Sequence, residues 1–391
     1  MAKKGTTPTT RKPTRKEASR AARDARFNRW VISIAIAVGL LVVGILVFGY
    51  LNEVVLVTRR PVATVNGTPI SLADWQARFR EQRVRMQMQL DSYSAQRMEV
   101  DPTDPNASAL LQQLDQAISR LRSQMEPETL GQAVLEQMAQ EEIIRQEAAR
   151  RGISIAPEEI DRAIETFFGF DREAAPTAPP LTTGPVTQTE TVTPTTPAAM
   201  TEQEFQDTYQ SYVENVLNPS GLGVEGFRAM MEAMLLSNEV RTAIESEVPT
   251  ATEQVQMRYF SCNDGEVADT LHQRLEAGEA WDDIAADLEE NPITGTYASE
   301  PWWVTQGFVA EQFGTEISII LFATPVGSYT MPMLSSATGA TYVMQVLNHE
   351  EHELDSLMLN YEQSHAFNEW LNQQMMGVTY SEDWRNHLPT N

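Results

Sequence analysis

The sequence predicts an α+β protein behind a single N-terminal transmembrane helix, with a mostly helical module and a small antiparallel sheet flanked by helices. Three observations predict it. Val31 to Leu51 runs without a charge. Much of the chain after it carries apolar residues at helical spacing. From Val255 to Glu350 the pattern changes to strand, helix, Trp/Gly-rich crossing, short helix, turn and two strands.

The first element is the run VISIAIAVGLLVVGILVFGYL. At a rise of 1.5 Å per residue it is about 30 Å long, the hydrocarbon thickness of a bilayer. Trp30 and Tyr50 sit at its ends like interfacial anchors. Residues 1–30 hold ten Lys/Arg against two Asp/Glu, about +8, on a chain of net charge −25. The rest is therefore near −33. That asymmetry predicts a basic cytoplasmic tail (1–30), a single-pass signal anchor in the cell membrane (31–51) and an extracytoplasmic bulk. A cleaved signal peptide would have a shorter apolar region and a small-x-small site, which LNEVVLV does not offer. The acidic bulk has no basic stripe, which argues against nucleic acid as a partner. One cysteine, Cys262, excludes an intramolecular disulfide and reads as a small buried residue.

A helical module is expected over 52–170 and 201–250. Val62–Val65 reads as a strand, Asn66-Gly67 as a hairpin turn and Thr68–Ile70 as the returning strand. Ser71 then caps a helix, with Asp74 three residues on. Leu72, Trp75, Phe79, Met86 and Leu90 share one face of it. Pro102–Asn106 is a break, and Leu110–Met125 a second helix. A longer helix stops at Gly152, and Pro157 opens the next. Residues 171–200 are Thr/Pro-rich and read as an exposed disordered loop. Helices resume at Thr201 and at Val224. The stretch VATVNGTPISLADWQARF resembles the N-terminal module of SurA-type exported chaperones, and the resemblance runs to about Phe168. A last helix, Glu353–Met376, and a strand, Val378–Tyr380, fill 351–391. The resemblance implies that this tail packs back on the first strands and helices and stays clear of the domain between.

That domain is 251–350. VQMRYFSC reads as its first strand, EVADTLHQRLEAGEAWDDIAADL as a helix and TYVMQVL as its closing strand. WWVTQGFVAEQF, ILFATPVGSYTMPM and ATYVMQVLNHEE resemble three segments of the parvulin-type (PpiC) peptidyl-prolyl isomerases, with Phe322, Gly327, Thr330 and Pro332 in register. Taken together, the chain resembles the SurA-, PrsA- and PpiD-like membrane-anchored chaperones. The family's first strand reads Arg-His-Ile, and this one reads Arg258-Tyr259-Phe260. The family's second His falls on Thr341 or Tyr342, its pocket Met on Val309 and its pocket Phe on Phe313.

Rotating a prolyl amide crosses a barrier of roughly 20 kcal/mol. It needs an apolar grip on the ring and preference for the twisted amide, without covalent chemistry. The resemblance therefore implies Tyr259, Phe313 and Tyr342 as catalytic candidates, and Val309, Phe308 and Ser335 as substrate-binding ones. The function it implies is that of an extracytoplasmic folding factor for exported proteins, a parvulin-type isomerase with a diverged site. A catalytically inactive holdase is the alternative, and a structural partner of a secretion or envelope complex the second. Expected partners are unfolded or newly exported polypeptides and proline-containing segments. No cofactor is expected. His349-Glu-Glu-His352 has the wrong spacing for a zinc-binding helix and reads as a solvated helix start.

Overall fold

The structure, a computed structural model, describes residues 38–44, 60–101, 103–172 and 200–389. Residues 38–44 are helical. The rest of the run Val31–Leu51, and all but the ends of the loop 171–200, lie outside the described residues. No helix among the described residues is long and apolar enough to cross a membrane. The described residues form helices and small antiparallel sheets, and the chain divides into two compact units.

The first unit comprises residues up to Leu135 together with Thr379–Asn391. Strands β1 (Pro61–Val65) and β2 (Thr68–Ser71) are joined by Asn66 and Gly67, whose φ values of 48° and 89° are those of a two-residue hairpin turn. The Ser71 hydroxyl accepts the Asp74 N–H at 3.1 Å and so starts α1 (Leu72–Glu99). α2 (Ala107–Gln124) folds back along α1, and α3 (Pro127–Arg151) follows. The Trp75 indole donates to the Gly131 carbonyl at 3.0 Å. A Cβ on Gly131 would come within 2.7 Å of the Trp384 ring, so the close approach of α3 requires glycine. Strand β8 (Thr379–Tyr380) pairs antiparallel with β1. Beyond it Trp384 is buried against Trp75, with ring centroids 5.5 Å apart.

The second unit is Glu136–Val378. Gly152, at φ 73°, ends α3, and Pro157 opens α4 (Pro157–Phe167). α5 (Glu202–Tyr212) runs through a π-helical turn, Val213–Leu217, before α6 (Gly223–Glu245). Phe170 stacks on Phe205 at 5.1 Å. Ile144 and Ala148 of α3 pack with Leu236, Val240 and Ile244 of α6 and with Phe367 of the last helix.

Within this unit lies a five-stranded sheet: β3 (Ala251–Cys262), β4 (Thr296–Ala298), β5 (Trp302–Thr305), β6 (Met333–Leu334) and β7 (Thr341–Glu353). Its order is β4-β3-β7-β6, with β5 also on β3. Helices α7 (Gly265–Glu276) and α8 (Trp281–Glu290) cover one face around Phe260, Cys262 and Val343. Helices α9 (Gln306–Phe313) and α10 (Thr315–Ala323) cover the other around Val255, Met257, Met344 and Val346. Burial pushes the Cys262 thiol up, in keeping with a small buried residue.

Three expectations are corrected. The single helix expected after β3 is two, because Gly278 at φ 86° ends the first. β7 continues to Glu353, so His349 and His352 lie on a strand and not at a helix start. His352 stacks on Trp303 at 3.9 Å, and the described residues contain no metal-ligating cluster. The last helix, α11 (Ser356–Met375), does not stay clear of the sheet domain: it packs on α6, and its Tyr361 meets Phe308 of α9 edge-on at 5.1 Å.

Glu147, nearly buried on α3, accepts from Arg150 at 2.6 and 2.7 Å and from Arg151 at 2.5 Å. Arg150 holds its carboxyl below the usual range, with Arg151 adding to the effect, against the opposing pull of burial. A depressed folded pKa stabilises the fold above the unfolded value and loses that contribution as pH falls through the folded one. Denaturant titrations between about pH 5 and pH 3 should therefore show a shallower loss of stability in Glu147→Gln than in wild type. Parallel curves would contradict this.

Candidate functional site

The β3–β7 ladder sets the site. Tyr259 lies opposite Met344 and Ser261 opposite Tyr342, so Tyr259 and Tyr342 are diagonal neighbours on one face. Val309 and Phe313 are four apart on α9 and point together into the same core. The outcome is a triad of rings. Tyr259 meets Phe313 at 5.5 Å and Tyr342 at 5.4 Å, and Phe313 meets Tyr342 at 5.0 Å, all edge-to-face. Phe313 is 6 % exposed and Tyr342 4 %, and only Tyr259 reaches the surface to an intermediate degree. Val309 is fully buried beneath them.

Two candidates are elsewhere. The Phe308 ring packs against Trp302 and Tyr361. The Ser335 hydroxyl is buried in the turn between β6 and β7, where it accepts the N–H groups of Ala337 and Thr338 at 3.2 and 3.1 Å. Two residues not anticipated from the sequence join the triad instead. The Tyr297 hydroxyl is 3.5 Å from that of Tyr259 and its side chain is 53 % exposed. The Thr338 hydroxyl is 3.0 Å from that of Tyr342. The pairing of β4 with β3, which brings Tyr297 alongside, has no local signal in a strand of three residues.

Chemically the cluster offers phenols and an apolar floor. Burial, with the hydroxyl of Tyr297 adding to it, pushes the Tyr259 phenol up, so it is a neutral donor or acceptor at physiological pH. The triad rings supply apolar contact and hydroxyl groups, and they fill the space between the strands and α9 with one another.

Residues 25–118 match the family described as the SurA-like N-terminal domain. This stretch is similar to a SurA-like N-terminal domain. Among its described residues it takes in β1, β2, α1 and the first two-thirds of α2. No curated protein matches the sequence. Among solved structures, the chain is similar to the peptidylprolyl isomerase PrsA from Bacillus cereus, at 14 % identity over 66 % of this chain and 81 % of that one, with a TM-score of 0.31. It is similar to the foldase protein PrsA from Streptococcus pneumoniae, at 16 % over 65 % and 83 %, with a TM-score of 0.27. A third likeness is to a structure of PEB4 and Cj1289, described as SurA-like chaperones of Campylobacter jejuni, at 12 % over 82 % and 99 %, with a TM-score of 0.20.

A ring as buried as Phe313 behaves as core. Phe313→Ala should lower unfolding free energy by about 3–5 kcal/mol, read by urea denaturation. A loss under about 1 kcal/mol would mean that the ring stands in an open pocket.

Proposed function

We propose that the chain is a folding factor for exported polypeptides, anchored through Val31–Leu51 with its N-terminus in the cytoplasm and its bulk outside. The SurA-like N-terminal domain is the observation that carries this reading. In it, residues 251–350 are a parvulin-type domain used for binding or bracing more than for fast prolyl rotation. The ring triad supports that choice. A rotamase must admit a proline ring beside a group that favours the twisted amide. Here Tyr259, which the resemblance aligns with one His of the family's pair, and Tyr342, one of two positions it aligns with the other, pack edge-on against Phe313.

A second reading, a prolyl isomerase with a diverged site, has one observation in its favour. Tyr259 and Tyr297 bring two neutral hydroxyls together at the rim, one of them on an exposed side chain. Such a pair could donate to the carbonyl oxygen of a twisted amide.

The full chain in phospholipid nanodiscs should suppress aggregation of a chemically unfolded exported protein near stoichiometric amounts. In the same preparation, cis–trans relaxation of a proline tetrapeptide should stay at the uncatalysed tens of seconds. Fast relaxation without suppression would favour the isomerase reading. Absence of both activities would overturn the proposal.

A further inference from the structure

Between Glu316 and Glu350 the chain has no Asp, Glu, Lys or Arg, although 21 % of its residues are charged. This stretch forms most of α10, a turn, the sheet edge at residues 327–334 and the first part of β7. The Gly327 N–H donates to Val346, the Thr330 N–H to Met344, and Ser328 accepts from Val346. Tyr329 bridges Gln345, and Met333 pairs with Tyr342. In that antiparallel pattern Tyr329 turns its own N–H and C=O away from β7. Among the described residues no strand follows β6 in the sheet order.

Edge strands are ordinarily blunted by charge, by proline or by a cover. This one has Pro332 and no charge. Its exposed side chains are large and apolar: Met331 is 65 % exposed, Leu334 71 %, and Val326 at the preceding turn is also open. Ile319 and Ile320 of α10 are exposed as well. α10 packs on β7 and the turn before it: a Cβ on Gly314 at its start would lie 3.4 Å from Ser336, and Phe322 near its end meets His349 at 5.6 Å.

We propose that this edge takes an extended, uncharged apolar segment of another polypeptide as an added strand. Backbone pairing at Tyr329 would give affinity, and Met331 and Leu334 would choose apolar side chains. The inference rests on the folding-factor reading and specifies where and how a client segment would be held. Charge argues for a client over a second copy of the chain. Two copies would each bring a net charge of −25, whereas the edge itself neither attracts nor repels an uncharged segment. Met333 opposite Tyr342 makes the edge continuous with the ring triad.

The test uses the full chain in nanodiscs, with empty nanodiscs as the control. The probe is a fluorescent capped nonapeptide of Val, Ile, Thr and Ala, and anisotropy gives its Kd. N-methylation of alternate backbone amides of the probe should weaken binding about tenfold or more. Met331→Lys with Leu334→Lys, two exposed positions, should do the same without changing the melting temperature. Equal binding of the methylated probe, or full binding by the double variant, would overturn the proposal. So would concentration-dependent dimerisation that the probe competes away, since a second copy would then be the occupant. Aggregation suppression reads the folding-factor proposal and the methylated probe reads the edge alone, so the two can fail separately.

Discussion

The sheet domain depends on one contact, the pairing of β3 with β7 along the whole of β3. Over Val255–Cys262 of β3 and Thr341–Val346 of β7 both faces carry buried residues. Phe260 and Val343 look toward α7 and α8, while Met257, Met344 and Val346 look toward α9 and α10. A one-residue slip would exchange the two sets and turn both cores inside out. The register that prevents the slip is also what puts Tyr259 diagonal to Tyr342. The ring triad is therefore a consequence of the ladder, and α9 completes it with Phe313.

α11 adds a second constraint. It is fixed to α3 and α6 through Phe367, and its Tyr361 bears on Phe308 of α9, the helix that carries Phe313. Movement of α9 that would open the triad therefore disturbs the Phe308–Tyr361 contact as well. A domain built in this way is braced against the opening that a proline ring would require.

Local chemistry made much of the fold legible. Asn66-Gly67, Ser71 with Asp74, Gly152 and Pro157 each act within a few residues, and each stands where its chemistry places it. The break at Gly278 was hidden because apolar spacing continues across it from Leu275 to Trp281. The extension of β7 through His349–Glu353 was hidden for the opposite reason. Those residues have no apolar alternation, and only pairing with Ala251–Val255 makes them a strand. In the site, Val309 and Phe313 are one helical turn apart and met as expected. Phe308 is five residues from Phe313, which puts it on another face of α9. That much was present in the spacing. The use of Ser335 as a turn acceptor and the arrival of Tyr297 depend on tertiary placement and have no counterpart in the sequence pattern.

Tyr259, Phe313 and Tyr342 fill the space between them with their own rings, which leaves no room there for a prolyl ring. Selective isotope labelling of Phe and Tyr, followed by NMR titration of the nanodisc-held chain with a proline tetrapeptide, tests it most directly. A packed triad should give no saturable shift of the Phe313 and Tyr342 ring resonances, with any change confined to Tyr259 and Tyr297 at the rim. Saturable shifts of Phe313 and Tyr342 together would place the proline within the triad and contradict it.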